Sequence, residues 1–254
     1  MTDKDFKHNV LKQKFHWPTD TICAVSLTFD DAHSSQITNG IPLFNKYKIS
    51  ATFYVSPNHL KRRINAWKEV IKKGHEIGNH TMSHPCTGNY LFSKDNALEN
   101  YTLQQIEDEL NKANEYINSV LGVRPRNFAY PCGQKFIGRG VNVESYVPLI
   151  AKKFFTGRGY LDESSNDPRF CDFSQLLGMG SDGKTFDELI KLIDYCKRLG
   201  QWLILVGHKI KQSGAETTFI TVLEKLCEYF NDPVNRIWVS TVDNIAKYIR
   251  NFRQ

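Results

Sequence analysis

Apolar runs of strand length alternate with segments of helical period along almost the whole chain, and no other feature restricts its fold as much. Eight runs have the composition of buried strands: residues 23–29, 51–55, 75–79, 127–130, 154–157, 175–179, 202–206 and 236–240. Helical patterns lie between them. The clearest covers 102–120, where Leu103, Ile106, Leu110, Ala113 and Ile117 form one stripe and Gly122 is placed to end the helix. Thr185 can cap a second pattern carrying Phe186, Leu189, Ile190 and Ile193, and two more cover 217–230 and 242–251. Repeated strand–helix units predict an α/β fold with a mostly parallel sheet. Segments 86–101 and 158–173 interrupt the alternation and read as long surface loops. Functional residues of such barrels gather on loops at the carboxyl ends of strands, so these two are candidates for the rim of a substrate groove.

With 254 residues and 41% hydrophobic content, the chain can build one large core, and residues 1–254 read as a single domain. The net charge of +6 is spread along the sequence apart from short clusters such as Lys61-Arg62-Arg63 and Lys72-Lys73. Tracking phosphates needs a denser basic stripe with aromatic stacking partners, so a nucleic-acid partner is not expected, while an acidic glycan remains compatible. The six cysteines, at 23, 86, 132, 171, 196 and 227, contain no C-x-x-C pair and no structural-zinc spacing, so free thiols are the expectation. Cys23 falls in a predicted strand, and Cys196 and Cys227 in predicted helices, as small buried side chains. The N-terminus shows neither a signal-like apolar stretch nor a membrane span. As written the chain reads as cytoplasmic; removal of a leader would place it outside the cytoplasm. Its oligomeric state is not legible.

The chemistry concentrates in two places. Asp30-Asp31 closes the first apolar run, at the mouth of a parallel barrel, with side chains expected to diverge so that one carboxylate can bind metal and the other handle protons. His80 and His84 stand four apart, on one face of a helical turn or equally close in a compact loop; Pro85 favours the loop. One Asp and two His make three protein ligands and leave a position for water, the pattern of a catalytic divalent site. Zinc is the first expectation, and the mixed N/O set also admits Co2+, Ni2+, Mn2+ or Fe2+.

Four ordered motifs, Thr28-Phe29-Asp30-Asp31, His80-Thr81-Met82-Ser83-His84, Phe128-Ala129-Tyr130-Pro131-Cys132-Gly133 and Leu205-Val206-Gly207-His208, resemble those of the polysaccharide deacetylase family (carbohydrate esterase family four). The resemblance covers about 21–249 and leaves 1–20 as an N-terminal extension. It implies an irregular, incomplete TIM-like (β/α) barrel of about seven or eight strands, and hydrolysis of acetyl groups on an oligo- or polysaccharide. It further implies that Asp31, His80 and His84 bind the metal, Asp30 is the general base and His208 the general acid. The backbone N–H of Cys132 would serve as an oxyanion hole, with Tyr130, Pro131 and Arg158 as substrate contacts.

The sequence departs from the family pattern at several points. Ala129 occupies the place where many members carry an arginine supporting the catalytic aspartate, and Arg126 lies three residues too early to replace it. The later Asp-and-Trp motif has no clean match; Arg158 and Asp162 are the nearest polar residues, and a loop role is expected for both. Ala32 stands where glycine commonly follows the acidic pair, so the backbone there is expected to avoid positive φ. His33 is expected at the surface, with lining of the site as the alternative. Two other functions remain open to this sequence: hydrolysis of a small non-sugar amide on the same barrel, and glycan binding without catalysis.

Overall fold

A computed structural model describes residues 15–254, so residues 1–14 of the expected N-terminal extension lie outside the described residues. The first apolar run becomes β1 (Cys23–Asp30), buried at every position, as a parallel strand covered on both faces must be. It is the axis of a parallel sheet made with β2 (Thr52–Val55), β3 (Glu76–Asn79), β4 (Asn127–Ala129), β5 (Thr156–Arg158), β6 (Met179–Gly180), β7 (Trp202–Gly207) and β8 (Ile237–Val239). The order is β5-β4-β3-β2-β1-β7-β6. β8 shares an edge of β1 with β2, pairing at Cys23–Val25 while β2 pairs at Thr28–Asp30. A bridge between Arg158 and Leu176 ties β5 to the chain entering β6, and the sheet thereby curls into an incomplete α/β barrel.

The two-residue period of β1 sorts its side chains. Val25, Leu27 and Phe29 pack outward against α5 (Phe186–Leu199) and α6 (Ile220–Asn231) through Leu189, Ile193, Leu223 and Leu226. Each such buried side chain contributes about 2 kcal/mol. Ser26, Thr28 and Asp30 face the other way. Their polar atoms are satisfied across the interior: Ser26 Oγ donates to Ser240 O (2.9 Å) and Thr28 Oγ1 to Leu205 O (2.9 Å). A polar column therefore rises inside the barrel to Asp30 at its carboxyl mouth.

The helices on the outside are α1 (Ile41–Tyr47), α2 (Ile64–Lys72), α3 (Leu103–Leu121), α4 (Val147–Lys153), α5, α6 and α7 (Val242–Arg253). The predicted stripe of α3 is buried at Ile106, Leu110, Ala113 and Ile117; a reciprocal Thr102–Gln105 cap starts the helix and Gly122 at φ 72° ends it. The 217–230 pattern divides: Thr217–Phe219 is a short strand parallel to Lys209–Lys211, and only then does α6 begin. Segment 86–101 carries two 3-10 stretches, Leu91–Asn96 and Leu98–Asn100. No helix among the described residues is long and apolar enough to cross a membrane.

The expectation of six free thiols is corrected. Cys23, Cys171, Cys196 and Cys227 are free, but Cys86 and Cys132 form a disulfide that joins loops 46 residues apart. Spacing rules miss it, because barrel curvature rather than sequence proximity brings these two loops together.

Candidate active site

The site begins where β1 runs out. Asp31 and Ala32 both adopt left-handed backbone, φ 73° and 60°, which corrects the expectation for Ala32. For a non-glycine residue that conformation costs about 1 kcal/mol or more. Two hydrogen bonds hold Asp31 against the strain: its N–H donates to Tyr54 O (3.0 Å) and its carbonyl lies 2.8 Å from His59 Nδ1. The kink separates the two acidic side chains. Asp30 stays inside the barrel, while Asp31 swings over the mouth toward the histidines.

His80 follows β3 and is buried; His84 lies four residues on in a loop rather than a helix and is half-buried. Thr81 and His84 take positive φ, 61° and 56°, and the turn is held by Thr81 Oγ1 accepting from the His84 N–H (3.0 Å). His80 Nε2 and His84 Nε2 lie 3.7 and 3.6 Å from Asp31 Oδ1, and the ligand atoms of the three residues fall within 4.8 Å of one another. His80 Nδ1 is 2.9 Å from Ala129 O, so Nδ1 carries the proton and Nε2 presents its lone pair to the cluster. Burial, reinforced by the nearby His80 and offset only in part by Asp31 and Asp30, lowers the His84 pKa to about 4 and keeps it neutral. Burial opposes ionisation of Asp31, but the hydrogen bond from His33 and the attraction of the surrounding histidines outweigh it and hold the carboxyl below the ordinary range. Two neutral imidazoles and one carboxylate are the donor set that a borderline divalent cation takes. His33 is not a free surface residue; its Nε2 is 3.4 Å from Asp31 Oδ2.

Arg158 is neither a loop residue nor placed to touch substrate. It ends β5, is fully buried, and its Nη2 pairs with Asp30 Oδ1. The β4–β5 register sets Arg158 directly beside Ala129, so the guanidinium reaches the aspartate from the neighbouring strand. Small neighbours make room for it: a Cβ at Gly178 would lie 2.7 Å from Arg158 Cδ. Its Cζ stacks 4.8 Å from the Tyr54 ring centroid, and Nη1 donates to Gly159 O (2.8 Å). Burial alone would raise the Asp30 pKa, but Arg158, His80 and His208 prevail and keep it ionised. Asp30 Oδ2 is left facing the cluster, 3.9 Å from His80 Nε2. Asp162 has the expected loop role, accepting from Gly178 N (2.8 Å), and Arg126 lies away from Asp30, near Asp243.

His208, just after β7, faces the same mouth. Asp182 is a residue the sequence did not single out, although Ser181-Asp182-Gly183 has turn composition. It accepts from His208 Nδ1 (2.7 Å) and is itself held by Thr218 Oγ1 (2.7 Å). Burial works against a charged His208, but the Asp182 hydrogen bond and the charges of Asp30, Asp182 and Asp31 overcome it and raise the pKa to about 9. Cys132, at φ 53°, turns the chain after Pro131, and its N–H donates to no acceptor among the described residues. Tyr130 and Pro131, expected to touch substrate, are buried. The Tyr130 ring packs between Phe128 and Tyr146, and its hydroxyl donates to Ser174 O (2.7 Å), so the expectation is corrected for Tyr130.

The uncharacterised protein YlxY of Bacillus subtilis is 33% identical over 93 residues, 37% of this chain and 26% of that protein. A peptidoglycan-N-acetylglucosamine deacetylase of Bacillus cereus is 40% identical over 77 residues, 30% of this chain and 35% of that protein. The chain thus spans about a quarter to a third of the length of these relatives. The crystal structure of a putative polysaccharide deacetylase from Mycobacterium smegmatis superposes with a TM-score of 0.68 at 16% identity, covering 93% of both chains, and supports the fold. Residues 19–143, which hold the acidic pair, both histidines and the Cys132 turn, match the profile described as polysaccharide deacetylase, and this stretch of the chain is a polysaccharide deacetylase domain.

Proposed function

We propose that the protein is a metal-dependent hydrolase that removes acetyl groups from an N-acetylated, or O-acetylated, carbohydrate. One observation carries the reading: Asp31, His80 and His84 converge within 4.8 Å, with Asp30 left outside the cluster and kept ionised by Arg158. Asp31, His80 and His84 would hold a divalent cation, zinc first, with Co2+, Ni2+, Mn2+ or Fe2+ also suited to the ligands. When bound, it supplies Lewis acidity to the acetyl carbonyl and lowers the pKa of water. Asp30 then takes the proton of the attacking water, because it is ionised and its free oxygen faces the cluster. The Cys132 N–H, otherwise without an acceptor, meets the developing oxyanion. His208, protonated up to about pH 9 and oriented by Asp182, delivers a proton to the leaving amine or hydroxyl.

The substrate class rests on the family, and the Bacillus cereus relative is named for N-acetylglucosamine of peptidoglycan. The Cys86–Cys132 disulfide supports folding in an oxidising compartment, the extracytoplasmic alternative of the sequence reading. The test is acetate release from N-acetylchito-oligosaccharides and acetylated peptidoglycan fragments by metal-loaded protein. Asp30→Asn should lower release by roughly a thousandfold while metal content stays the same. Saccharide binding without acetate under any of the five metals would instead establish a binding module.

A further inference from the structure

Segment 86–101 exposes three large apolar side chains in succession: Tyr90 at 45%, Leu91 at 81% and Phe92 at 69%. A contiguous apolar patch on a loop is costly in water and marks a binding surface when the loop is held in place. This loop is held from several sides. Cys86 is tied to Cys132 by the disulfide, and Ser93, buried beneath the patch, both donates to Cys86 O (2.9 Å) and accepts from Cys86 N (3.0 Å). Asn96 Nδ2 donates to Ser83 O (3.1 Å), which fastens the loop to the residue before His84. The Tyr90 and Phe92 rings are nearly parallel, 8° apart with centroids at 5.4 Å, and the Phe92 centroid is 6.3 Å from that of His84. The apolar surface is thus continuous with the metal-ligand cluster and begins about one sugar ring away from it.

We propose that Tyr90 and Phe92 form a stacking shelf for a pyranose ring of the glycan, on a unit flanking the one that is deacetylated. The inference rests on the acetylated-glycan reading of the site. A β-linked hexosamine carries its hydroxyl and amide groups equatorially and leaves an apolar C–H face on either side of the ring. That face is matched by a flat aromatic surface and wasted on a polar loop. A shelf fixed in advance binds without the cost of ordering the loop, which is the service of the disulfide and of Ser93.

The experiment compares di-N-acetylchitobiose with penta-N-acetylchitopentaose on the full, metal-loaded chain. In Tyr90→Ala/Phe92→Ala the ratio of kcat/KM for the pentamer to that for the dimer should fall about tenfold, and Phe92→Trp should preserve it. A merely structural role would lower both substrates together and leave the ratio where it was, and that result overturns the proposal. Pentamer affinity is measured in parallel by calorimetry in the Asp30→Asn background, so that the shelf and the chemistry fail separately. An affinity loss of about tenfold in the double variant supports the shelf even if no acetate is ever released. Pentamer binding that is absent, or equal with and without the two rings, overturns it even if deacetylation is found.

Discussion

Asp30 and Glu76 are carboxylates enclosed at opposite ends of one sheet, and the protein treats them in opposite ways. Asp30 ends β1 at the carboxyl mouth beside a cation, Arg158, and its pKa is lowered despite burial. Glu76 begins β3 at the other mouth, where Thr52 Oγ1 (2.9 Å), the Asp243 N–H (3.0 Å) and Asn127 Nδ2 donate to it. These donors are uncharged. Burial and the Asp243 carboxylate prevail over them, and the Glu76 pKa is raised. Burial pushes both carboxyls upward; what decides the outcome is whether a full positive charge or only dipoles face the oxygens. The first end keeps an ionised carboxylate beside the histidine cluster, as the proposed base requires, and the second is a hydrogen-bonded plug between the sheet and the start of α7.

Arg158 gives the sharpest way to break this contrast. Arg158→Leu leaves Asp30 buried without its counter-charge and should cost about 3–5 kcal/mol in urea unfolding, with acetate release falling by two orders of magnitude or so. Arg158→Lys keeps the charge but loses the stacking on Tyr54 and should retain part of both. The positioning role has a specific signature. In a double-mutant cycle with Asp30→Asn the two losses should be far from additive, because each variant removes the same pair. Additive losses would mean that the guanidinium stabilises the barrel independently of the aspartate.

Arg158 also shows where sequence reasoning stops. Asp30, Asp31, His80 and His84 are legible because each pair is local: the acids close an apolar run, and the imidazoles share a turn. The central strands are legible for a similar reason, since β1 and β7 are continuous buried runs. Arg158 becomes meaningful only through the β4–β5 register that sets it beside Ala129, and register is a property of two distant segments. The same holds for the Cys86–Cys132 disulfide and for Asp182, which reads as a turn residue until His208 is placed 2.7 Å away. β6 is only two residues long because its neighbours, not its own composition, define it. The placing of Gly122 at a helix end is readable from residue type alone, whereas the positive φ at Ala32 is not, because the turn it shares with Asp31 is held by Tyr54 and His59 from other elements.

Asp182 sharpens the comparison on the acid side of the proposed mechanism. It pairs with His208 as Arg158 pairs with Asp30, fixing a charge state by an opposite charge. With the His208 pKa at about 9, activity that needs the imidazolium is present below that pH and is lost above it. Asp182→Asn removes the strongest support for the charged form and leaves the burial penalty, so the alkaline limb of the kcat/KM profile should move from about 9 toward the ordinary value of 6.5. Stability should move with it. His208 is raised on folding, so its contribution is fully present below 6.5 and disappears as pH rises toward 9; in the variant this dependence should be gone. An alkaline limb unmoved by the substitution would remove His208 from the role of general acid.

Glu76→Gln should have the smallest effect and tests the plug most directly. The amide oxygen can keep the bonds from Thr52 and Asp243, while its NH2 faces Asn127. Asn127 can reverse its own amide, since its Oδ1 accepts from Thr156 Oγ1 (2.8 Å) and a hydroxyl can turn from donor to acceptor. The variant should therefore stay within about 1 kcal/mol of the parent and match it in the acetate-release assay. The pH dependence carries the discriminating sign. Because the Glu76 pKa is raised on folding, the folded state holds its proton longer than the unfolded chain, and wild-type stability declines as pH rises above the ordinary value of 4.5 until the folded group also ionises. Glutamine cannot titrate, so thermal midpoints of variant and parent should diverge in the variant's favour across that window and run parallel above it. Divergence in the opposite direction would mean that Glu76 is held ionised like Asp30, and the two ends of the barrel would then obey one rule.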